Sequence, residues 1–123
     1  MNIEEIREYC LSLDSEVEEK FPFVKFKYGE DVLVFYIMGH MFCFFSINDL
    51  SHLTVKCQPE RIVELEEQYP YIGKPFNENA KYWIGIDATR ADADVLQQLI
   101  ANSYEIVKAK YTKKPQKKKS TQS

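Results

Sequence analysis

The sequence has few of the residues that build catalytic and cofactor-binding motifs. Its 123 residues include four glycines, three cysteines, two histidines and one tryptophan. It contains no G-x-x-x-x-G-K-S/T or G-x-G-x-x-G pattern to hold a phosphate and no H-E-x-x-H pattern to hold zinc. An active site needs a nucleophile, a base and an orienting group in one cleft. We therefore predict that the protein is not an enzyme and that it has no cofactor and no catalytic residues.

Cysteine and histidine are too sparse to indicate a disulfide framework or a metal centre. Cys10, Cys43 and Cys57 are odd in number and widely spaced, which is typical of reduced thiols in a cytoplasmic protein. His40 and His52 are isolated and lack ligand spacing, so no metal ligands are predicted. The acidic residues of the first predicted helix indicate a solvated face, with a weak cation-binding ridge as the alternative.

Long apolar runs are also missing. The longest, residues 32–38 and 41–45, are too short to span a bilayer. The N-terminus has neither the basic region nor the apolar region of a signal peptide. We therefore expect a cytoplasmic protein with no membrane partner.

The chain does contain enough apolar residues for a globular core. Apolar residues make up 45% of the sequence and aromatic residues 14%. A chain of this length buries roughly two-thirds of its unfolded surface on folding, so it needs neither a disulfide nor a metal. We predict one domain over residues 1–112, a monomer, and a disordered lysine-rich tail over residues 113–123, which have no apolar pattern.

Acidic and basic residues are divided unevenly along the chain. Residues 1–107 hold nine Lys and Arg and all nineteen acidic residues, a formal charge of −10, whereas residues 108–123 hold seven lysines and no acidic residue. Because the acidic body repels phosphate, a nucleic acid would need a local basic patch or the tail. The tail itself fits nonspecific phosphate contact and a solubilising extension equally well.

Periodicity of the apolar residues predicts an α+β fold. Helices are predicted over residues 2–13, 59–69 and 92–111, and short strands over residues 24–28, 32–38, 41–45, 52–56 and 81–87. Asn2 and Glu5 have the form of a capping box, and Ser103 falls on the buried stripe of the last helix. Gly39-His40 is the predicted hairpin turn. Runs of strands, rather than strict β-α alternation, indicate an antiparallel sheet with helices packed on one face.

Four lysines and the single tryptophan are the candidate binding residues. Lys25 and Lys27 share one side of a predicted strand, and Lys56 ends another. Trp83 beside Lys81 has the form of a base-stacking platform flanked by a cation. The structural alternative is that Trp83 packs in the core against the last helix, as large aromatic residues mostly do. The strand lysines fit a solubilising sheet face equally well.

Short motifs spread over residues 1–112 resemble the YjbR/MmcQ family. They are Phe21-Pro22-Phe23, Leu33-Val34-Phe35, Gly39-His40-Met41-Phe42, Val55-Lys56-Cys57-Gln58-Pro59-Glu60, Asn79, Trp83, and Ser103-Tyr104 followed by Val107. The resemblance implies a fold similar to frataxin (YjbR/CyaY-like), with a curved antiparallel sheet and helices on one side. It also implies the double-wing, DNA-binding architecture by which such proteins are described, and the family is not known as an enzyme family.

Two positions depart from the pattern of that family. Its hairpin Gly-Lys-Met-Phe reads Gly39-His40-Met41-Phe42 here, and its His-Trp reads Tyr82-Trp83. If the lysine or the histidine contacts phosphate, this chain binds phosphate less tightly. Ser103 and Tyr104 are retained, and a hydrogen bond to the sheet or to the loop before Trp83 would explain them.

Two functions are therefore hypotheses from the sequence. The first is a non-enzymatic DNA-binding protein that uses its sheet face and wings, with Lys25, Lys27, Lys56, Lys81 and Trp83 as the contact residues. The second is a protein-interaction module that uses the concave sheet and the acidic helices. A continuous positive groove beside Lys56 and Trp83 would favour DNA, whereas an acidic or apolar concavity would favour a protein partner.

Overall fold

A computed structural model describes residues 1–27 and 29–122, with side chains described up to Thr112. The elements in order are α1 (Ile3–Ser12), β1 (Glu18–Lys20), β2 (Val32–Ile37), β3 (His40–Ser46), β4 (Asp49–Lys56), α2 (Pro59–Gln68), β5 (Ile72–Gly73), β6 (Trp83–Ile86) and α3 (Ala93–Gln122). The side chains of the predicted tail, residues 113–123, lie outside the described ones. The domain boundary and the disorder of the tail stay predictions.

The six strands form one open sheet in which every neighbouring pair is antiparallel. Their order is β1-β2-β3-β4-β6-β5, so the short strands β1 and β5 lie at its edges. Ile6 of α1, Ile62 of α2 and Ile100 of α3 belong to one buried cluster with the sheet residues of a single face. The predicted α+β class, with helices on one face of an antiparallel sheet, is confirmed. We call the opposite face of the sheet the open face.

Local sequence signals explain how two elements begin. The Asn2 side chain accepts the backbone N–H of Glu5 at 2.8 Å, and the Glu5 carboxylate accepts the backbone N–H of Asn2 at 2.9 Å. This reciprocal capping box satisfies two backbone donors at the start of α1, as the sequence predicts. Helix α2 begins at Pro59, whose missing N–H costs nothing in a first turn.

The hairpin between β2 and β3 has a two-residue turn. Met38 and Gly39 both have positive φ, 55° and 80°, and Ile37 pairs with His40. The turn is thus one residue earlier than predicted, and its backbone matches the twist of the flanking strands. The His40 ring stacks on Tyr111 of α3 with 3.5 Å between the ring centroids, which connects the hairpin to the last helix.

The predicted strand over residues 24–28 is wrong. The described part of this segment forms successive turns, in which the N–H of Phe26 donates to the carbonyl of Phe23 at 2.9 Å and the N–H of Gly29 to that of Phe26 at 3.0 Å. Tyr28 lies outside the described residues. The neighbour of β2 on the side away from β3 is β1, which lies in the acidic segment for which no strand was predicted.

Ser103 of α3 connects two strands at a β-bulge. The register of β2 and β3 shifts between Phe35 and Tyr36, which leaves Phe42 without a partner in β2. The Ser103 hydroxyl donates to the Phe42 carbonyl at 2.5 Å and accepts the backbone N–H of Lys56 at 2.9 Å. Of the two alternatives that the sequence left open for Ser103, a bond to the sheet or to the loop before Trp83, the structure shows the bond to the sheet.

Tyr104 bonds to a different element from its neighbour. Its hydroxyl donates to the Asp14 carboxylate at 2.5 Å, and the Lys108 ammonium lies 2.8 Å from the same oxygen. Hydrogen bonds from Lys108, Tyr104 and the backbone N–H of Glu16 hold the pKa of Asp14 well below its usual range. These hydrogen bonds connect the segment between α1 and β1 to helix α3.

Candidate functional site

The open face carries a second, smaller apolar cluster. Val34, Phe44 and Trp83 are buried in it. Phe23 packs against them because the connection between β1 and β2 folds over the sheet. Trp83 is only 9% exposed, and its ring centroid lies 6.2 Å from that of Phe44. Trp83 is thus buried, as the structural alternative requires, but on the face opposite α3.

Lys56 and Trp83 are directly paired across strands β4 and β6. The Lys56 Nζ lies 5.5 Å from the centroid of the Trp83 ring, within the range of a cation–π contact. Since Lys56 and Phe44 cover this ring, Trp83 presents little area on which a nucleic-acid base could stack. The sheet register thus makes Lys56 and Trp83 neighbours, although they are far apart in the sequence.

Beside this cluster the open face forms a groove with a volume of about 710 Å³. The apolar residues that line it are Phe23, Phe26, Val32, Met41, Phe44, Phe45 and Phe76. Phe26 comes from the connection between β1 and β2, and Phe76 from the connection between β5 and β6. Their side chains are 63% and 58% exposed. Two loops therefore present aromatic rings to solvent on one surface.

The charges in the groove are predominantly negative. Of the described residues that line it, Asp31, Asp49 and Glu78 are acidic and Lys27 is the lysine. His52 also lines the groove, and its ring centroid lies 6.3 Å from that of Phe76. The groove is therefore apolar with an acidic bias, rather than a continuous positive surface.

Two of these carboxylates are held in the anionic form. Asp31 accepts hydrogen bonds from the Asn48 side chain at 3.0 Å and the Ser46 hydroxyl at 2.8 Å. These bonds lower the pKa of Asp31, although burial and, to a smaller extent, the charge of nearby Asp49 oppose the shift. The hydroxyl and the backbone N–H of Ser51 lower the pKa of Asp49 in the same way. Both groups are thus negatively charged at neutral pH.

Glu78 differs from the two aspartates in its surroundings. Burial raises the pKa of its carboxyl group, and the positive charge of Lys56 acts in the opposite direction. Glu78 lies on the same loop as Phe76 and lines the groove. The lysine over Trp83 therefore has a carboxylate in its electrostatic neighbourhood, which reduces its attraction for phosphate.

The remaining predicted lysines lie in the connections β1–β2 and β5–β6, so none of them shares a strand with Lys56. Lys25 is exposed in the turns that replace the predicted strand, so it has no sheet face to share with Lys27. Lys27 lines the groove, whereas Lys25 and Lys81 lie outside its lining. The Lys81 Nζ lies 5.5 Å from the centroid of the Tyr82 ring. The role of these lysines in binding DNA stays a prediction.

Sequence reasoning did not identify Asp31, Asp49 or Phe76 as site residues. The signal for Phe76 was available, because it is a large apolar side chain between Pro75 and Asn77 in a loop. No comparable signal marks the two aspartates. They lie beside turns in the sequence, and only the pairing of the strands brings them to the groove.

Within residues 1–27 and 29–112, no three side chains of His, Cys, Asp or Glu group together in a way that would hold a metal ion. In the part of the chain that the structure describes, no helix combines the length and the apolar character needed to cross a membrane.

An open six-stranded antiparallel sheet with three helices on one face and a groove on the other defines a small α+β domain of the open-sheet type. The chain belongs to the YjbR family, because the family model described as YjbR matches residues 12–106. The resemblance seen in the sequence motifs is thereby confirmed. A search of curated proteins found no match.

Two solved structures share this fold. One is the Deinococcus radiodurans protein DR2400, which carries a DUF419 domain. It is 27% identical to this chain with a TM-score of 0.80, and the match covers 96% of this chain and 86% of that one. The other is a protein from Pseudomonas syringae with 20% identity and a TM-score of 0.72, covering 86% of this chain and 98% of that one. At the lower identity the likeness concerns the fold alone.

Proposed function

We propose that this protein is an interaction domain that binds a segment of another protein in the groove of the open face. The observation that carries the proposal is the groove lining, which is mostly apolar and contains three carboxylates and one lysine among the described residues. An apolar concavity with an acidic bias is the outcome that favours a protein partner over DNA. Binding, rather than catalysis, is the activity that such a surface supports.

The two exposed phenylalanines are the expected energetic centre of this interface. Phe26 and Phe76 keep more than half of their side-chain surface in water in the unbound protein. Large aromatic side chains carry a disproportionate share of the binding energy at protein interfaces. Phe26 is also held in place, because its ring packs on Phe23 with 6.2 Å between centroids. A partly fixed ring loses less conformational entropy on binding.

The test is a selection of displayed random peptides on the full-length protein, followed by affinity measurement on two variants, Phe26→Ala and Phe76→Ala. We expect each variant to weaken the selected peptides by about thirtyfold, as truncation of an aromatic hot spot does. The matched control is Val63→Ala, which removes another exposed apolar side chain, from α2 on the helical face. If the peptides bind all three variants equally, or if no binder emerges, the groove is not the interaction site.

DNA binding is a second candidate because Lys56 lies over Trp83 on the open face. The contact residues in this proposal are Lys25, Lys27, Lys56, Lys81 and Trp83. Duplex DNA should bind the full chain at low salt, and the affinity should fall as salt rises because condensed counterions are released. Absence of binding at low salt eliminates this candidate.

A shortened chain tests whether the folded domain or its tail contacts the DNA. A chain that ends at residue 112 should keep sequence-independent binding if the sheet face is responsible. Complete loss of binding in the shortened chain would assign the contact to the tail lysines and remove the domain as a reader of DNA. Lys56→Ala in the full chain should reduce the slope of log affinity against log salt by about 1.

A further inference from the structure

We infer that the groove of the open face selects an extended peptide segment in which an Arg or Lys accompanies a large apolar side chain. The inference rests on the proposed function and adds the chemistry of the partner. It follows from the placement of the two anionic aspartates together in a groove whose lining is mostly apolar.

Asp31 and Asp49 are brought to the same end of the groove by the sheet register. Asp31 immediately precedes β2, and Asp49 begins β4. The two are connected through Ser46 at the end of β3, which pairs with Asp49 and donates its hydroxyl to Asp31 at 2.8 Å. The negative charge of Asp49 is one of the smaller influences that raise the pKa of Asp31, which places the two carboxylates in the same neighbourhood. Negative charge is therefore concentrated where the groove meets the β3–β4 turn.

This negative charge is not balanced by an ion pair within the described part of the chain. The salt bridges found there pair other carboxylates, such as Glu19 with Arg7 and Asp14 with Lys108. His52 is the nearby group that acts electrostatically on Asp49. A guanidinium or ammonium group from a partner would relieve the mutual repulsion, and it would gain charge-assisted hydrogen bonds. Phosphate or carboxylate at this end would be repelled.

The opposite end of β4 carries Lys56, which has the carboxyl group of Glu78 in its electrostatic neighbourhood. Asp49 and Lys56 are the first and last residues of β4, and seven steps of an extended strand span roughly 24 Å. A segment of about seven extended residues would run the length of this face. The apolar lining between the ends, with Phe26 and Phe76 on its loops, fits a large aliphatic or aromatic side chain. Charge and shape together thus favour one cation at the Asp31 and Asp49 end.

The probes are nine-residue fluorescent peptides with one phenylalanine and one arginine at spacings of two to six residues. Matched peptides carry glutamine or glutamate in place of the arginine. On the wild-type protein we expect the arginine-to-glutamine change to weaken binding by about fivefold, the scale of one partly exposed ion pair. On Asp31→Asn and Asp49→Asn the same change should have little effect, which gives a double-mutant cycle. Glu64→Gln, at an exposed carboxylate on α2, is the matched control.

The outcomes separate this inference from the proposed function. If peptides bind and depend on Phe26 and Phe76, but arginine, glutamine and glutamate versions bind equally, the groove is an interaction site and the predicted partner chemistry is wrong. A second copy of the chain as the occupant would appear as a dimer in sedimentation that Phe26→Ala abolishes. Occupation by the lysine tail would appear as tighter peptide binding in a chain ending at residue 112. Either result would overturn the inference.

Discussion

The hydroxyl oxygen of Ser103 accepts the backbone N–H of Lys56 at 2.9 Å, so the last helix is bonded directly to the strand that carries a candidate site residue. The same hydroxyl donates to the carbonyl of Phe42, the unpaired residue of the β-bulge. One buried side chain therefore satisfies a donor on β4 and an acceptor on β3. The open face and the helical layer are coupled at this point.

Replacement of this hydroxyl should destabilise the protein measurably. We expect Ser103→Ala to lower the free energy of unfolding by about 1–3 kcal/mol, because it leaves two buried backbone groups without this partner. Urea denaturation measures the change. The exposed Ser15→Ala is the control and should stay within about 0.5 kcal/mol. If Ser103→Ala lowers the free energy of unfolding by less than about 0.5 kcal/mol, the level of an ordinary surface substitution, then water replaces the hydroxyl.

Substitution by alanine should destabilise the protein at only one of the two glycines that face each other across β5 and β6. A Cβ at Gly85 would overlap the backbone carbonyl of Lys74, whereas a Cβ at Gly73 meets no atom within 4 Å. Gly85→Ala should therefore lower the free energy of unfolding by about 1–3 kcal/mol, the range for overpacking against backbone. Gly73→Ala should be close to neutral in the same thermal or urea measurement. Equal effects would show that the loop at Lys74 moves without cost.

Trp83 should behave as an anchor of the open-face cluster. We expect Trp83→Ala to cost about 3–5 kcal/mol in the free energy of unfolding, as for other buried aromatic residues. Tyr82→Ala, next to it but 40% exposed, should cost far less. The fluorescence of this single tryptophan should also shift to longer wavelength on unfolding. Normal stability of Trp83→Ala with lost ligand binding would identify Trp83 as a contact residue instead.

The Asp14 group predicts the direction of the pH dependence. Because the folded protein holds the pKa of Asp14 below its unfolded value, its contribution to stability is present above the unfolded pKa, about 4. That contribution is lost as pH falls from about 5 through the lowered pKa of the folded state. The stability difference between wild type and Asp14→Asn should therefore be largest near neutral pH and should shrink in acid.

Denaturant titrations at several pH values measure this difference. The control is Glu105→Gln, which removes an exposed carboxylate from the same helix that carries Tyr104 and Lys108. The gap between wild type and Glu105→Gln over the same pH range is the reference for the gap of Asp14→Asn. A gap for Asp14→Asn that does not change with pH would show that the bonds to Tyr104 and Lys108 do not depend on the charge of Asp14.

The helices and the strands of the core were predictable because their periodicity reports burial directly. Leu96, Ile100 and Val107 fall on the predicted stripe of α3, and all are buried. Ser103 falls on the same stripe, and its polarity indicated a hydrogen bond at a core position. Such signals are local, since each depends on spacings of three or four residues within one helix.

The edge of the sheet was not predictable in the same way. Val24 and Phe26 alternate with lysines as strand residues do, but their side chains are 57% and 63% exposed in the structure. Packing of Phe26 on Phe23 favours turns over an extended chain. Glu18–Lys20 has no strand propensity, and it is extended because it pairs with β2. A contact between two rings decides the first case and strand pairing the second, and residue alternation reports neither.

The groove could not be predicted without knowing which residues pair between the strands. Lys56 and Trp83 are 27 positions apart in the sequence and become neighbours only when β4 pairs with β6. Asp31 and Asp49 meet through Ser46, and Phe76 reaches the groove from a loop. The lysines were visible in the sequence, but the carboxylates that change the sign of the surface were not. Charge balance at a site depends on such non-local neighbours.

The short strands at the two edges of the sheet restrict how a ligand could bind. β1 has three residues and β5 has two, and Glu18 and Lys20 of β1 are exposed charges. Few backbone N–H and C=O groups are available for β-augmentation, and the charged edge also disfavours amyloid-like stacking of copies. A peptide bound as proposed would then be recognised through its side chains, without a backbone ladder to fix its N-to-C direction. Its orientation would be decided by where its charges fall along the groove.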